Sequence, residues 1–483
     1  MSSQLTATAA IVLAAGQGTR MRSRIPKVLH PLAGRPMIDH VLEALGEAGI
    51  ESSVVVIGHG GDAVEQHMSG RATTIRQEPQ LGTADAVQVG LQGVRGDPTD
   101  IVVTMGDAPL QPPALFVGLV SERRRLGAAI TLASARQTDP TGYGRIVRSK
   151  DGGVTAIVEE RDADVTTRAI TEINVGTYAF DAAWLRGCIG SVMASPSGER
   201  YLTDLVALAV AEERQVRVVE AKDSADTVGI NDRVMLAAAE DRMRRRIAEH
   251  HMLDGVTIVD PSTTRIDAGV EIGQDARIEP WTILEGATVI AQDAVIGPNA
   301  HLRDSRVGPR TRVWASVLEE ASVAEDSQIG PFAHLRPGAD VGARCRIGNF
   351  AEVKKSRIGA GTQQHHFSYL GDADVGENVN VGAGSVTANF DGESKHRTEI
   401  GDGAKIGVDT MMVAPVTIGA GATTGAGAVV TRNVADGKTV VGMPARPIEL
   451  RRRAQATADA DADPGAGPAP VPTGADRNSQ GGG

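Results

Sequence analysis

The chain has 483 residues, with 49 Lys and Arg against 60 Asp and Glu, a formal net charge of −11. That balance excludes a broadly basic surface for nucleic acid or anionic membranes, and the length implies two or three domains. No run approaches the ~20 apolar residues of a bilayer span, and MSSQLTATAA lacks the charged start of a signal peptide. Two cysteines, Cys188 and Cys345, make neither a disulfide framework nor a zinc site, which suits a reducing compartment. A cytoplasmic enzyme without nucleic-acid or membrane partners is therefore expected. The 57 glycines stand against six Phe, four Tyr and three Trp, so a repeat architecture with a small-aliphatic core is sought first.

Residues 1–228 read as an α/β domain. Apolar runs at 9–15, 54–57, 101–105, 128–133 and 216–219 alternate with helical patterns at 37–48 and 113–126, which predicts a largely parallel sheet. Directly after the first strand comes Leu13-Ala14-Ala15-Gly16-Gln17-Gly18-Thr19-Arg20-Met21, then Pro26-Lys27. It is not a Walker loop, because no Gly-Lys-Ser/Thr follows, and Met21 stands where a dinucleotide fingerprint needs its third glycine. Glycines here allow close approach of backbone N–H groups to phosphate. Arg20 and Lys27 offset phosphate charge.

Residues 229–251 form the expected linker helix. The stretch 231–251 has no Gly or Pro, and Asn231 or Asp232 can cap it. Its arginines are interleaved with acids, so a solvated face is expected. Across 252–448 aliphatics step by six: Ile272, Ile278, Leu284, Ile290, Ile296, Leu302; then Val323, Ile329, Leu335, Val341, Ile347, Val353; then Ile400, Ile406, Met412, Ile418, Thr424, Val430. A period of six fits short strands joined by tight turns, with the aliphatic inward and the following glycine supplying positive φ at the corner. The register slips around 302–323 and is interrupted between Ile358 and Ile400, and residues 362–398 hold much of the region's polar chemistry. Residues 449–483, rich in Ala, Pro, Gly and Asp, are expected to be a disordered tail.

The glycine loop with its Pro-Lys resembles the sugar-phosphate nucleotidyltransferases, and later segments follow that family in order. The resemblance implies UTP contacts at Leu13, Ala14, Ala15, Gly16, Gly18, Lys27, Gln77, Gly82 and Thr83, with Arg20 and Lys27 catalytic. It implies Mg²⁺ on Asp107 and Asn231, and a sugar phosphate at Gly144, Glu159, Asn174 and Asn231. One departure is Asp85, in Gly82-Thr83-Ala84-Asp85-Ala86, where histidine is usual. A carboxylate facing phosphate would weaken binding; one facing solvent or Arg would not.

The hexads resemble left-handed parallel β-helices. The two domains in this order resemble the bifunctional family that acetylates glucosamine 1-phosphate from acetyl-CoA and then couples the product to UTP, a supply step for peptidoglycan and cell-wall synthesis. The resemblance implies a sugar-phosphate clamp at Arg336, Lys354, Tyr369 and Asn380, and acetyl-CoA contacts at Asn389, Phe390, Lys395, Val408, Ala426 and Met443. It implies a homotrimer. The spacing His-x-x-Tyr-x-Gly-Asp-Ala selects His366, rather than the adjacent His365, as the base that removes the ammonium proton. Phe390 replaces a usual tyrosine, Val408 a serine and Gln363 a lysine, and Gly442-Met443-Pro444-Ala445 resembles the ending of other hexapeptide acyltransferases. The alternative reading is a nucleotidyltransferase whose β-helix only trimerises or regulates it. A non-enzymatic scaffold is disfavoured by the intact glycine loop with Lys27, Asp107 and Asn231.

Overall fold

The computed structural model describes residues 5, 7–58, 60–195 and 198–448. The expected tail at 449–483 lies outside them.

The N-terminal sheet runs in the order Val216–Glu220, Ile130–Arg136, Glu172–Asp181, Asp100–Met105, Thr8–Ala14, Ser52–Ile57, Thr73–Arg76. Thr8–Ala14 sits between parallel neighbours on both sides. It reads TAAIVLA and is buried throughout, as a strand covered on both faces must be. Glu172–Asp181 runs antiparallel to both of its main-sheet neighbours, making the sheet mixed. Helices Met37–Glu47 and Pro113–Leu126 pack on one side and Thr83–Gly93 on the other.

The connecting helix spans Arg233–Leu253, starting at its Asp232 cap, whose carboxylate accepts from the N–H groups of Val234 and Met235. Residues 229–231 stay outside it. The Ile230 N–H donates to the Asp107 carbonyl (2.8 Å), which carries Asn231 back to the sheet. The arginine face is not simply solvated. Arg242 pairs with Asp223 and Asp226, and Arg246 reaches Asp226 and the Leu110 carbonyl. Ala239 and Met243 join Leu32, Ala33, Met37, Leu110 and Ile230 in a small core. The Ala268 N–H of the first coil donates to the Ala33 carbonyl (3.0 Å).

The C-terminal region is a left-handed parallel β-helix, a three-faced prism. Its first face runs from Thr257–Ile258 to Arg446–Pro447, its second from Arg265–Ile266 to Val429–Val430, and its third from Glu271–Ile272 to Val416–Ile418. Leu284, Leu302, Leu318, Leu335, Val353 and Leu370 stack in register on the second face. At three of the corners that are one residue short a buried serine sits, and the Ser305, Ser316 and Ser356 hydroxyls each donate to a carbonyl two residues back and accept an N–H from the next coil. Buried Ala321 and Ala373 take the same place at the shortened steps from Leu318 to Val323 and from Leu370 to Val375. The sequence therefore slips while the ladder does not.

Two expectations are corrected here. The repeat is not interrupted between Ile358 and Ile400: Gln364, Leu370, Val375, Val381 and Thr387 continue as inward positions. Polar Gln364 and Thr387 in aliphatic places disguised it, and only a finger at 389–397 leaves the coil. The glycine after the aliphatic also does a different job from the one expected. Gly342, Gly348, Gly382 and Gly401 do not have positive φ; Gly330 does. A Cβ on Gly382 would lie 2.6 Å from Gly407 C and Val408 N, and one on Gly401 2.5 Å from Ala420 N. These glycines let coils stack closely. Positive φ falls at corner positions further on, such as Asp293, Arg344 and Asn378, and on the edge between first and second faces at Trp281, Phe332 and Phe350.

Candidate active sites

The first site gathers at the sheet edge where Thr8–Ala14 and Asp100–Met105 both end. Gly18 is left-handed (φ 57°) and begins the short turn Thr19–Met21, which opens the loop Ala15–Gly18 outward. The Lys27 ammonium pairs with Asp107 and donates to Asn231 Oδ1 (3.2 Å). These three come from positions 27, 107 and 231, brought together by the strand ends and the Ile230 turn. Gly229 crowds the same group, since a Cβ there would lie 3.4 Å from Asp107 Oδ1. Arg20 is exposed beside the loop.

A cleft of about 450 Å³ adjoins the loop, lined by Leu13, Ala15, Gly16, Gln77, Gly82, Thr83 and Glu159 among others. Gln80 donates its amide to the Ala15 carbonyl across it. Glu159 accepts from the Thr203 hydroxyl (3.0 Å); burial pushes its carboxyl up, with Asp204, Asp162 and Glu199 adding repulsion. Asn174 donates to the Tyr178 hydroxyl (2.8 Å) and accepts from the Gly176 N–H (3.1 Å), so its amide is fixed. A Cβ on Gly144 would stand 3.4 Å from Glu159 Oε2; glycine leaves that carboxyl approachable. Ala14 is buried among the strand's core contacts.

Asp85 does not face the phosphate loop. It lies in the first turn of Thr83–Gly93, pairs with Arg200 (3.4 Å) and accepts from Gln77 Nε2 (2.8 Å). Arg200 was not singled out by the sequence. Its partner lies 115 residues away, and no local pattern marks it.

The second site lies on the prism's second face. Lys354 ends the strand Ala351–Lys354, Tyr369 lies on the adjacent Ser368–Gly371, and Arg336 follows His334–Leu335 one coil before. The Arg336 guanidinium donates to Glu352 (2.7 Å). The Lys395 ammonium, with Arg336 beyond it, holds Lys354 below the ordinary lysine value. Three cations crowded so closely are a place for a dianion. A Cβ on Gly371 would overlap the Tyr369 hydroxyl and lie 2.5 Å from its Cζ, so glycine there lets the Tyr369 ring lie flat along the face.

Lys395 reaches this cluster from the finger. Asp391 accepts the N–H groups of Ser394 and Glu393 (2.8 Å each) and binds His396 (2.6 Å); those N–H groups hold its carboxyl well below the usual range. Asn389 donates to Asp372 at the finger's base. Phe390 bridges Lys395 along the backbone and its ring is exposed.

The other predicted residues stand elsewhere. His366 sits at the edge between first and second faces, and Val408, Ala426 and Met443 occupy the same edge in later coils. The cation cluster lies at the opposite end of the second-face strands. Asn380 is on the first face, in Asn380–Val381. One chain therefore brings together Arg336, Lys354, Tyr369, Asn389 and Lys395, and separately lines up His366 with Val408, Ala426 and Met443. It does not bring Asn380 to the clamp. His365 hydrogen-bonds Gln363 (3.1 Å), and burial lowers its imidazole.

No helix of the described residues is long and apolar enough to cross a membrane. Residues 10–171 match the MobA-like NTP transferase domain, and residues 320–355 and 397–432 match the bacterial transferase hexapeptide of six repeats. The chain is 46% identical over 450 residues to the bifunctional protein GlmU of Thermobifida fusca, covering 91% of this chain and 93% of that one. It is 44% identical over 434 residues to that of Geobacillus thermodenitrificans, 90% and 95% covered, and 45% identical over 433 to that of Heliobacterium modesticaldum, 89% and 94% covered. With both domain types present in one chain and nearly the whole length of these relatives spanned, the chain belongs to the GlmU family of bifunctional enzymes.

Proposed function

We propose that the chain acetylates glucosamine 1-phosphate from acetyl-CoA on the prism and then transfers uridylyl from UTP to the product in the N-terminal domain, releasing pyrophosphate. The observation that carries this reading is the pair of cationic sites on one chain, one at a glycine loop beside Asp107 and Asn231, the other around Lys354. A trimerising or regulatory β-helix has no use for Lys354, Lys395 and Arg336 held together against their own repulsion.

In uridylyl transfer the sugar 1-phosphate oxygen attacks the α-phosphorus while the bond to the β-phosphate breaks, so no protein base is needed. The work is to hold two polyanions together. The N–H groups near Gly16 and Gly18, with Arg20 and Lys27, offset phosphate charge; Glu159, Asn174 and Gly144 hold the sugar. Asp107 and Asn231 fit Mg²⁺: one carboxylate and one amide oxygen, the sparse hard-oxygen set this ion takes when phosphates and water complete it. No group of three or more His, Cys, Asp or Glu able to hold a metal occurs among the described residues. Bound there, Mg²⁺ neutralises charge on the phosphates.

In acetyl transfer His366 takes a proton from the sugar ammonium. The freed amine attacks the thioester carbonyl, the C–S bond breaks, and coenzyme A leaves as a thiol once protonated. Arg336, Lys354 and Lys395 hold the phosphate. His366 and the clamp stand at opposite ends of the second face, Asn380 lies on another, and the rings of Trp281, Phe332, Phe350 and Phe367 are exposed along the His366 edge. These features support a homotrimer in which a neighbouring chain completes the site. A cytoplasmic location fits substrates of this kind.

The test incubates the purified protein with glucosamine 1-phosphate, acetyl-CoA, UTP and Mg²⁺, following thiol and pyrophosphate separately. Both are expected. Pyrophosphate release only when N-acetylglucosamine 1-phosphate is supplied overturns the acetyltransferase half.

A further inference from the structure

We propose that Asp85, held by Arg200, is a positioning residue that locks the Gln77 amide with its carbonyl oxygen toward the cleft, and so selects uracil over cytosine. This rests on reading the cleft as the UTP site.

Gln77 is only 3% exposed and lines the cleft. Its Nε2 donates to the Gly82 carbonyl (3.0 Å) and to Asp85 Oδ2 (2.8 Å). Both partners can only accept, so the amide has one tolerable orientation: turned over, its oxygen would face two oxygens. Both N–H groups are used, and Oε1 has no hydrogen-bond partner among the described residues. A histidine in place of Asp85 could donate or accept by tautomer and would force neither orientation. The carboxylate forces one.

The lock is itself braced. Asp85 Oδ1 faces Arg200 Nη1 (3.4 Å), and Arg200 also donates to the Val192 and Ile189 carbonyls (3.0 Å each) and to Gln88 Oε1 (2.9 Å). Its backbone pairs with the base-side segment, donating to the Leu81 carbonyl (2.7 Å) and accepting from the Ala84 N–H (2.9 Å). Gly82 lies between them at φ +113°, and a Cβ there would sit 2.5 Å from the Arg200 oxygen. These contacts hold in place both acceptors of the Gln77 amide, the Asp85 carboxylate and the Gly82 carbonyl.

A fixed acceptor meets a hydrogen at N3 of uracil and a lone pair at N3 of cytosine. A site that leaves a buried polar group facing like discriminates by more than the hydrogen bond alone.

The experiment compares UTP with CTP, by equilibrium binding and by kcat/KM for pyrophosphate release, in the wild-type protein, Asp85→Asn and Gln77→Met. The Asn amide can offer an N–H to the Gln77 oxygen, so the lock opens. The UTP/CTP preference is expected to fall at least tenfold in Asp85→Asn, with CTP binding becoming tighter, a gain that mere loosening of the fold does not give. Gln77→Met is expected to lose the preference with the Asp85–Arg200 pair intact. Unchanged preference in Asp85→Asn, UTP and CTP weakening together, or a wild-type protein binding both alike or neither overturns the lock. A protein that binds UTP with Asp85-dependent preference yet releases no pyrophosphate keeps the lock and overturns the reaction.

Discussion

Gly348→Ala should damage one activity and spare the other. A Cβ at Gly348 would overlap the His365 carbonyl oxygen and lie 2.7 Å and 2.9 Å from its C and Cα. All three are backbone atoms, so no side-chain rotation relieves the contact. The neighbouring coil must retreat by about 1 Å to reach ordinary van der Waals distance, against the Gly348 N–H bond to the Gln364 carbonyl (2.8 Å) and the Asn349 N–H bond to the His365 carbonyl (3.1 Å). Overpacking of this kind costs about 1–3 kcal/mol. The residue displaced adjoins His366, and a ~1 Å misplacement can cost ~100-fold in rate. Thiol release should therefore fall by about two orders of magnitude while pyrophosphate release from N-acetylglucosamine 1-phosphate in the same sample stays at the wild-type rate. Gly403→Ala is the control: it meets nothing within 4 Å but has φ +63°, so it should cost about 1 kcal/mol of stability from backbone strain alone. Wild-type melting and wild-type thiol release in Gly348→Ala would refute the close-stacking account.

Burial raises the Glu159 carboxyl, so ionising it burdens the folded state. Below the unfolded value of about 4.3 both states are protonated and the burden is absent; it grows as pH rises through and above that value. Glu159→Gln should thus raise the unfolding midpoint at pH 7, with the gain shrinking as pH falls toward 4; a pH-independent difference would contradict this. Lys395→Met removes the charge that holds Lys354 down, so the Lys354 ammonium should titrate higher by NMR, while KM for glucosamine 1-phosphate rises more than kcat falls. Gln364 is fully buried with Oε1 unpartnered, and Gln364→Met should stabilise the protein by about 1 kcal/mol in denaturant unfolding; a lower midpoint would show that its bond to Ser368 (2.9 Å) matters more.

The prism was legible because one aliphatic every six residues is a strict rule that few folds obey. It became illegible where Gln364 and Thr387 took inward places, since periodicity counts side-chain type rather than direction. The corner glycines misled because glycine answers two needs, positive φ and close approach, and a sequence does not separate them: Gly348 serves the second and Gly403 the first. The glycine loop could be read from adjacent residues, whereas the partner of Asp85 could not, because Arg200 reaches it only through the packing of distant segments. Asn380 stands out by resemblance, but it falls on the first face while Lys354 and Tyr369 lie on the second, a separation that residue type alone does not show.

Two independent sites on one chain are expected to act in sequence. His366→Ala should abolish thiol release yet release pyrophosphate from N-acetylglucosamine 1-phosphate, and Asp107→Asn should do the reverse. The direct measurement mixes the two variants with glucosamine 1-phosphate, acetyl-CoA, UTP and Mg²⁺ and follows pyrophosphate. Release is expected after a lag that shortens as the Asp107→Asn variant is increased; no release from a mixture whose members each keep their remaining activity would show that the two sites do not act in sequence.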